Sequence, residues 1–141
     1  MTFTLPAYDQ IPNVGLYLEQ VTKYLNEYLE PLGCPPLTGS MISNYVKKGL
    51  VKNPVKKQYD RERIARLLVI AVSKTVLSLE EVQQLLAHHP EGQAGYEAFC
   101  QTLLGQLEEV FARPPRGLLP ETMTAVAQKL WLESQFREAG I

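Results

Sequence analysis

SMISNYVKKGLVKNPVKKQYDRERIARL, residues 40 to 67, decides how the whole chain is read. A short helix, capped by Thr38 or Ser40, runs to a left-handed stop at Gly49. Met41, Ile42, Tyr45 and Val46 fall on one side of that helix, and Ser40, Ser43, Asn44, Lys47 and Lys48 on the other. The outer side is polar and basic without an acid. Residues 50 to 59 set β-branched and aromatic side chains around Asn53 and Pro54, the pattern of a small hairpin or wing too short to be a sheet alone. Asp60 then caps a further helix.

The charge of this stretch is as informative as its punctuation. Between Thr38 and Arg66 stand Lys47, Lys48, Lys52, Lys56, Lys57, Arg61, Arg63 and Arg66, with only Asp60 and Glu62 against them. Eight cations against two acids leave +6; the whole chain carries −1, so the remainder carries −7. A basic island in an acidic protein is the footprint expected of a surface that meets phosphates.

Outward from the island the chain reads as helices. Pro12 and Asn13 open a first helix whose stripe is Val14, Tyr17, Leu18, Val21, Tyr24, Leu25, Tyr28 and Leu29, ended by Pro31 and Gly33. Residues 31 to 37 are a stiff connector. After Asp60, Ile64, Leu67, Leu68, Ala71 and Val72, with Val69 and Ile70 beside them, give an apolar circumference wide enough for the central helix of a core. Ser78-Leu79-Glu80-Glu81 is a capping box that opens a fourth helix through Val82, Leu85 and Leu86. A fifth helix, from about 94 to 112, carries Tyr96, Cys100, Leu103, Leu107 and Val110 at alternating steps of four and three, and a sixth runs near 121 to 137. The expected class is all-α with at most a small β-hairpin wing. A helical head over 1–90 is followed by a helical dimerisation or packing segment over 91–141.

Composition removes several function classes. At 141 residues, 45% apolar and 21% charged, the chain is an ordinary soluble globular protein in size and balance. It has no apolar run of about 18 residues and no signal-peptide pattern at its start, so a cytoplasmic protein without membrane contact is expected. Cys34 and Cys100 lie far apart and read as structural thiols. His88 and His89 diverge by about 100° on a helix and have no third ligand, so no metal is expected. No nucleophile elbow, phosphate loop, zinc-protease motif or dinucleotide fingerprint occurs. Neither an enzyme nor a cofactor is expected.

Two helices joined by a tight connector and followed by a basic wing form the arrangement of winged helix-turn-helix DNA binders. NYVKKGLV followed by QYDRERIARLLVIAVSKTVLSLEEVQQLL resembles the DNA-binding head of MerR-type regulators over residues 38 to 88. The resemblance rests on Tyr45, Lys47, Gly49, Leu50, Pro54, Tyr59, Asp60, Ile64 and the SLEEV of 78 to 82. LPAYDQIPNVGLYLEQVTKYL joined to MISNYVKKGLV is similar to a bacterial MerR-like group, the domain-of-unknown-function family 1836. Its members are regarded as candidate transcriptional regulators, and the likeness covers most of residues 5 to 110. There are departures. Ser43 stands where MerR-type recognition helices often carry arginine, Asn44 replaces the first of two tyrosines, and the wing is several residues shorter.

The expectation is therefore sequence-specific binding of double-stranded DNA and regulation of transcription. Ser43, Asn44 and Lys47 are expected at base edges or the nearest phosphates. Lys48, Lys52, Lys56, Lys57, Arg61 and Arg63 are expected to hold the backbone. A homodimer through Tyr96, Leu103 and Leu107 is the expected assembly. The competing reading is a protein-interaction module that uses the same basic face on an acidic partner. A third, compatible with DNA binding, is a small-molecule sensor with a cavity lined by Tyr96, Phe99 and Trp131.

Overall fold

The structure, a computed structural model, describes residues 3–139. Among these residues the chain is all-α. Its helices are α1 (Leu18–Leu32), α2 (Gly39–Lys47), α3 (Arg61–Ser73), α4 (Leu79–Ala87), α5 (Gly92–Ala112) and α6 (Leu118–Glu138), with one 3-10 turn at Tyr8–Gln10. None is long and apolar enough to cross a membrane.

α3 is the centre, as its wide apolar circumference predicts. Ile64, Leu67, Leu68 and Ile70 are at most 1% exposed, and α1 and α5 both pack on this helix. No polar or charged residue is fully buried among the described residues. The core is thus mainly hydrophobic burial, with most side-chain hydrogen bonds at its rim and the hydroxyls of Tyr45 and Tyr96 bonded within it. The rim bonds are the ones the sequence announces. Thr38 Oγ1 accepts from Met41 N–H at 3.1 Å, Asp60 Oδ1 from Arg63 N–H at 3.0 Å, and Ser78 Oγ from Glu81 N–H at 3.2 Å while Glu81 returns to Ser78 N–H at 2.9 Å.

The first helix differs from its expectation. It starts at Leu18, not at Pro12 or Asn13, and Val14 and Tyr17 are 84% and 52% exposed rather than part of its stripe. Val21, Leu25 and Leu29 carry the burial. Gly15 breaks the helical run with φ +84°, a left-handed conformation costly for other residues. Residues 5–17 form a strap across the core instead. Leu5, Pro6 and Ile11 are buried, the Tyr8 hydroxyl donates to Glu62 at 2.9 Å, and Leu16 exchanges both backbone hydrogen bonds with Tyr59 at 2.9 and 2.7 Å. At the far end Pro31 lies inside the last turn, and Gly33, at φ +81°, ends the helix. The connector to α2 is clamped by Asn26, whose side-chain amide donates to Leu37 C=O at 2.9 Å and accepts from Leu37 N–H at 2.8 Å.

The core runs on past the expected division at 90. Tyr96, in the second turn of α5, is 3% exposed and its hydroxyl donates to Pro6 C=O at 2.8 Å. Along α5 stand the residues expected to line a homodimer seam, Tyr96, Leu103 and Leu107. Tyr96 is spent inside its own chain, Leu103 packs partly against the same core, and Leu107 is half-buried. Beyond Leu107 the apolar residues face out: Val110 is 48% and Phe111 57% exposed. α6 has no buried residue. It touches the rest of the chain along one edge, where Leu132 and Phe136 pack partly on the core and the Lys129 ammonium donates to Val76 C=O.

Candidate nucleic-acid interface

α2 is a nine-residue helix held from behind and open in front. Ile42 and Tyr45 are at most 1% exposed. Lys74 of the segment after α3 donates to the Tyr45 hydroxyl at 2.9 Å and lies 5.1 Å from the ring centre, pinning the helix to the core. Ser40, Ser43, Lys47 and Lys48 are exposed and Asn44 is partly so. Gly49, at φ +78°, lets the chain leave the helix, and Leu50 N–H closes onto Tyr45 C=O at 3.0 Å. Leu50 and Val51 then enter the core.

The expected wing is a single two-residue turn, not a pair of strands. Val55 and Gln58 exchange backbone hydrogen bonds at 3.1 and 2.9 Å around Lys56 and Lys57. Both lysines are left-handed, with φ +51° and +65°. Two successive positive φ values define the hairpin turn that matches the twist of its flanking arms, and Asn-Gly is its favoured sequence. Lysine at each position costs about 1–2 kcal/mol instead. Strained backbone of this kind concentrates at functional sites. Both side chains are exposed.

The nine expected contact residues divide into two sets. Lys47, Lys48, Lys52, Lys56 and Lys57 are all exposed, and among the described residues no carboxylate lies within ion-pair distance of any of them. From Gly39 to Tyr59 there is no acidic residue at all. With Ser43 and Asn44 these lysines make one polar, cationic stretch. Arg61 and Arg63 point elsewhere. Arg61 donates to Ile11 C=O at 2.8 Å and Asp9 C=O at 3.1 Å, and stacks 5.7 Å from the Tyr8 ring, so it ties down the strap. Arg63 donates to Asn53 C=O and pairs with Asp60, both at 2.8 Å, so it holds the base of the turn. Arg66 does the same for Leu50 C=O at 3.4 Å and sits 3.7 Å from Glu91. A guanidinium shared among backbone carbonyls has few donors left for phosphate.

Two contributors escaped the sequence reading. Lys23, on α1, lines an open groove with Thr38, Ser40 and Ser43 at the start of α2. It extends the cationic stretch onto a second helix, while Glu19 in the same groove opposes it. Asn26, through its clamp on Leu37, sets the angle at which α2 leaves α1. An amphipathic stripe cannot signal either one.

The remaining candidates do not assemble into a site. Cys34 and Cys100 are free thiols pushed up by burial, which suits structural rather than reactive roles. His88 is exposed, whereas His89 is half-buried. Tyr96 and Phe99 rings stand 6.0 Å apart, but Trp131 is 61% exposed and does not close a cavity with them.

No curated protein and no solved structure matches the chain. The profile of one family does, over residues 6–103, which span the strap, the connector, α2, the lysine turn and the core half of α5. On that match the chain belongs to the family described as Domain of unknown function (DUF1836).

Proposed function

We propose that this protein binds double-stranded DNA sequence-specifically and regulates transcription. α2 and the Lys56-Lys57 turn serve as the recognition helix and wing of a MerR-like winged helix-turn-helix. α2 is about 13 Å long, and its exposed serines, asparagine and lysines are small enough to enter a major groove about 12 Å wide. Lys47 and Lys48 at its end, Lys52 in the loop and Lys56 and Lys57 on the turn supply the phosphate contacts that set register and orientation. Arg61 and Arg63 act indirectly, by holding the strap and the turn in place.

The observation that carries this reading is the strained turn. A two-residue hairpin that holds two lysines in a strained conformation, in a stretch free of acids, is accounted for by an anionic partner. An acidic protein is the competing partner, and the choice is open to a direct test. Purified protein is mixed with sheared genomic DNA, and the retained fragments are sequenced. Enrichment of a common motif is expected. Recovery at random, or no recovery at moderate salt, contradicts sequence-specific DNA binding.

A further inference from the structure

A small pocket opens on the flank of α2 that leans on α3. Met41 and Tyr45, four residues apart, share that side of the helix, whereas Ser43 and Lys47 share another. Pro35 and Leu37 of the connector form a second wall, and Ala71, Lys74 and Thr75, at and just past the end of α3, a third. The volume is about 100 Å³. Leu37, Tyr45 and Ala71 are buried and Met41 is partly so, which makes the floor apolar. Two polar groups at one end are incompletely partnered. Tyr45 is 1% exposed, and its hydroxyl accepts from the Lys74 ammonium at 2.9 Å but finds no acceptor for its own proton among the described residues. A buried tyrosine hydroxyl both donates and accepts when fully satisfied. Lys74 is half-buried, and among the described residues no carboxylate lies within ion-pair distance of it. Of the residues that line the pocket it alone is charged.

We propose that this pocket binds a small organic monocarboxylate. One carboxylate oxygen accepts from both the Lys74 ammonium and the Tyr45 hydroxyl, and the alkyl chain lies on Leu37, Met41 and Ala71. Each part of the pocket asks for one part of that ligand. The ammonium gives one of its three donors to Tyr45 and keeps two. It also lies 5.1 Å from the Tyr45 ring centre, which holds it over the mouth. A charge-assisted bond to an anionic oxygen is the strong way to use these donors, together with the idle hydroxyl proton. The apolar floor favours a carbon chain over an inorganic anion, which would leave it wet. Size narrows the class. An apolar cavity of about 150 Å³ takes benzene, so about 100 Å³ suits a chain of about three or four carbons. For about six non-hydrogen atoms a dissociation constant of ~1 mM lies within the range of small ligands.

Titration of the full chain with sodium butyrate at constant ionic strength tests this, followed by amide NMR. No nucleic acid is present, so the result stands apart from that of the DNA-binding proposal. The amides of Leu37, Met41, Tyr45 and Lys74 should shift saturably, with a dissociation constant of ~1 mM. Butyramide, the neutral analogue of the same shape, should bind about 10-fold more weakly or worse, because it brings no charge to Lys74. Lys74→Met and Tyr45→Phe, which keep the length and the ring, should each weaken butyrate by about 10-fold. Shifts that stay linear to ~20 mM butyrate, or that scatter over the exposed lysines, overturn the site. Equal binding of butyramide overturns carboxylate recognition. Unchanged affinity of a folded Lys74→Met protein overturns the role of the ammonium. Should circular dichroism show that variant unfolded, Tyr45→Phe decides, and undiminished binding there overturns the proposal.

Discussion

Replacing Lys56-Lys57 by Asn-Gly should make the protein more stable and a poorer DNA binder at once. Both lysines hold left-handed φ values, +51° and +65°, within a turn whose backbone bonds already close at 3.1 and 2.9 Å. The variant therefore needs no rearrangement. Relief of strain is about 1 kcal/mol per position, reduced by the extra freedom glycine gives the unfolded chain, for a net gain of about 1–1.5 kcal/mol. At this chain length that raises Tm by about 3–6 °C. The same change removes two exposed cations. The log–log salt dependence of DNA binding should become shallower by about 2, and affinity should fall most at low salt. Thermal melts followed by circular dichroism read the first effect, and fluorescence anisotropy on a labelled duplex reads the second. A melting temperature that falls would refute the strain argument. A stabilised protein with unaltered binding and salt slope would refute the role given to the turn.

Other outcomes follow from particular contacts. Asn26→Ala removes both bonds to Leu37, at 2.9 and 2.8 Å, and should cost about 1–3 kcal/mol in a denaturant titration. Arg63→Ala loses its hold on Asn53 and Asp60 and should cost about 1–2 kcal/mol, yet leave the salt slope of DNA binding unchanged because the guanidinium faces inward. At Gly95 an added Cβ would fall 1.7 Å from Pro90 C=O, so Gly95→Ala should cost about 2 kcal/mol or more and lower Tm. The alkaline pH dependence is set by buried tyrosines and thiols. Burial, followed by the bond to Glu62, pushes Tyr8 from 10.0 up to about 12, and burial also raises Tyr24 and Tyr96. The unfolded chain gives up these protons above about pH 10 while the folded chain keeps them, and the thiols of Cys34 and Cys100, raised by burial from 9.0, start the same loss lower, so stability is full below about pH 8 and declines as pH climbs towards 12. Melts across that range should show the fall, and Tyr96→Phe should make it shallower.

The local grammar of the sequence was legible where a few neighbouring residues settle the conformation. Thr38, Asp60 and the Ser78–Glu81 box cap the helices they announce, and Gly33 and Gly49 take the left-handed stops. The stripes through Val21, Leu25 and Leu29 and around α3 are buried as their periodicity indicates. What stayed hidden is held by distant partners. The strap of residues 5–17 depends on Arg61 and Glu62, some fifty positions away, so its last part, through Val14 and Tyr17, read as the start of α1. A count of charges gives no direction. Arg61 and Arg63 looked equal to the lysines until their carbonyl partners appeared, and Tyr96 looked like part of an open seam until Pro6 and its neighbours closed over it. The strain at Lys56 and Lys57 was likewise invisible, because lysine does not advertise a positive φ.

Phosphate recognition by the exposed lysines is tested most directly by the salt dependence of binding to a duplex. The wild type, whose Lys47, Lys48, Lys52, Lys56 and Lys57 have no ion-pair partner among the described residues, should give a log–log slope of about −4 to −5 between ~50 and ~200 mM salt. Lys47→Glu/Lys56→Glu/Lys57→Glu, still folded, should abolish binding. A wild-type slope near zero, or a triple variant that binds as well as the parent, would contradict the account.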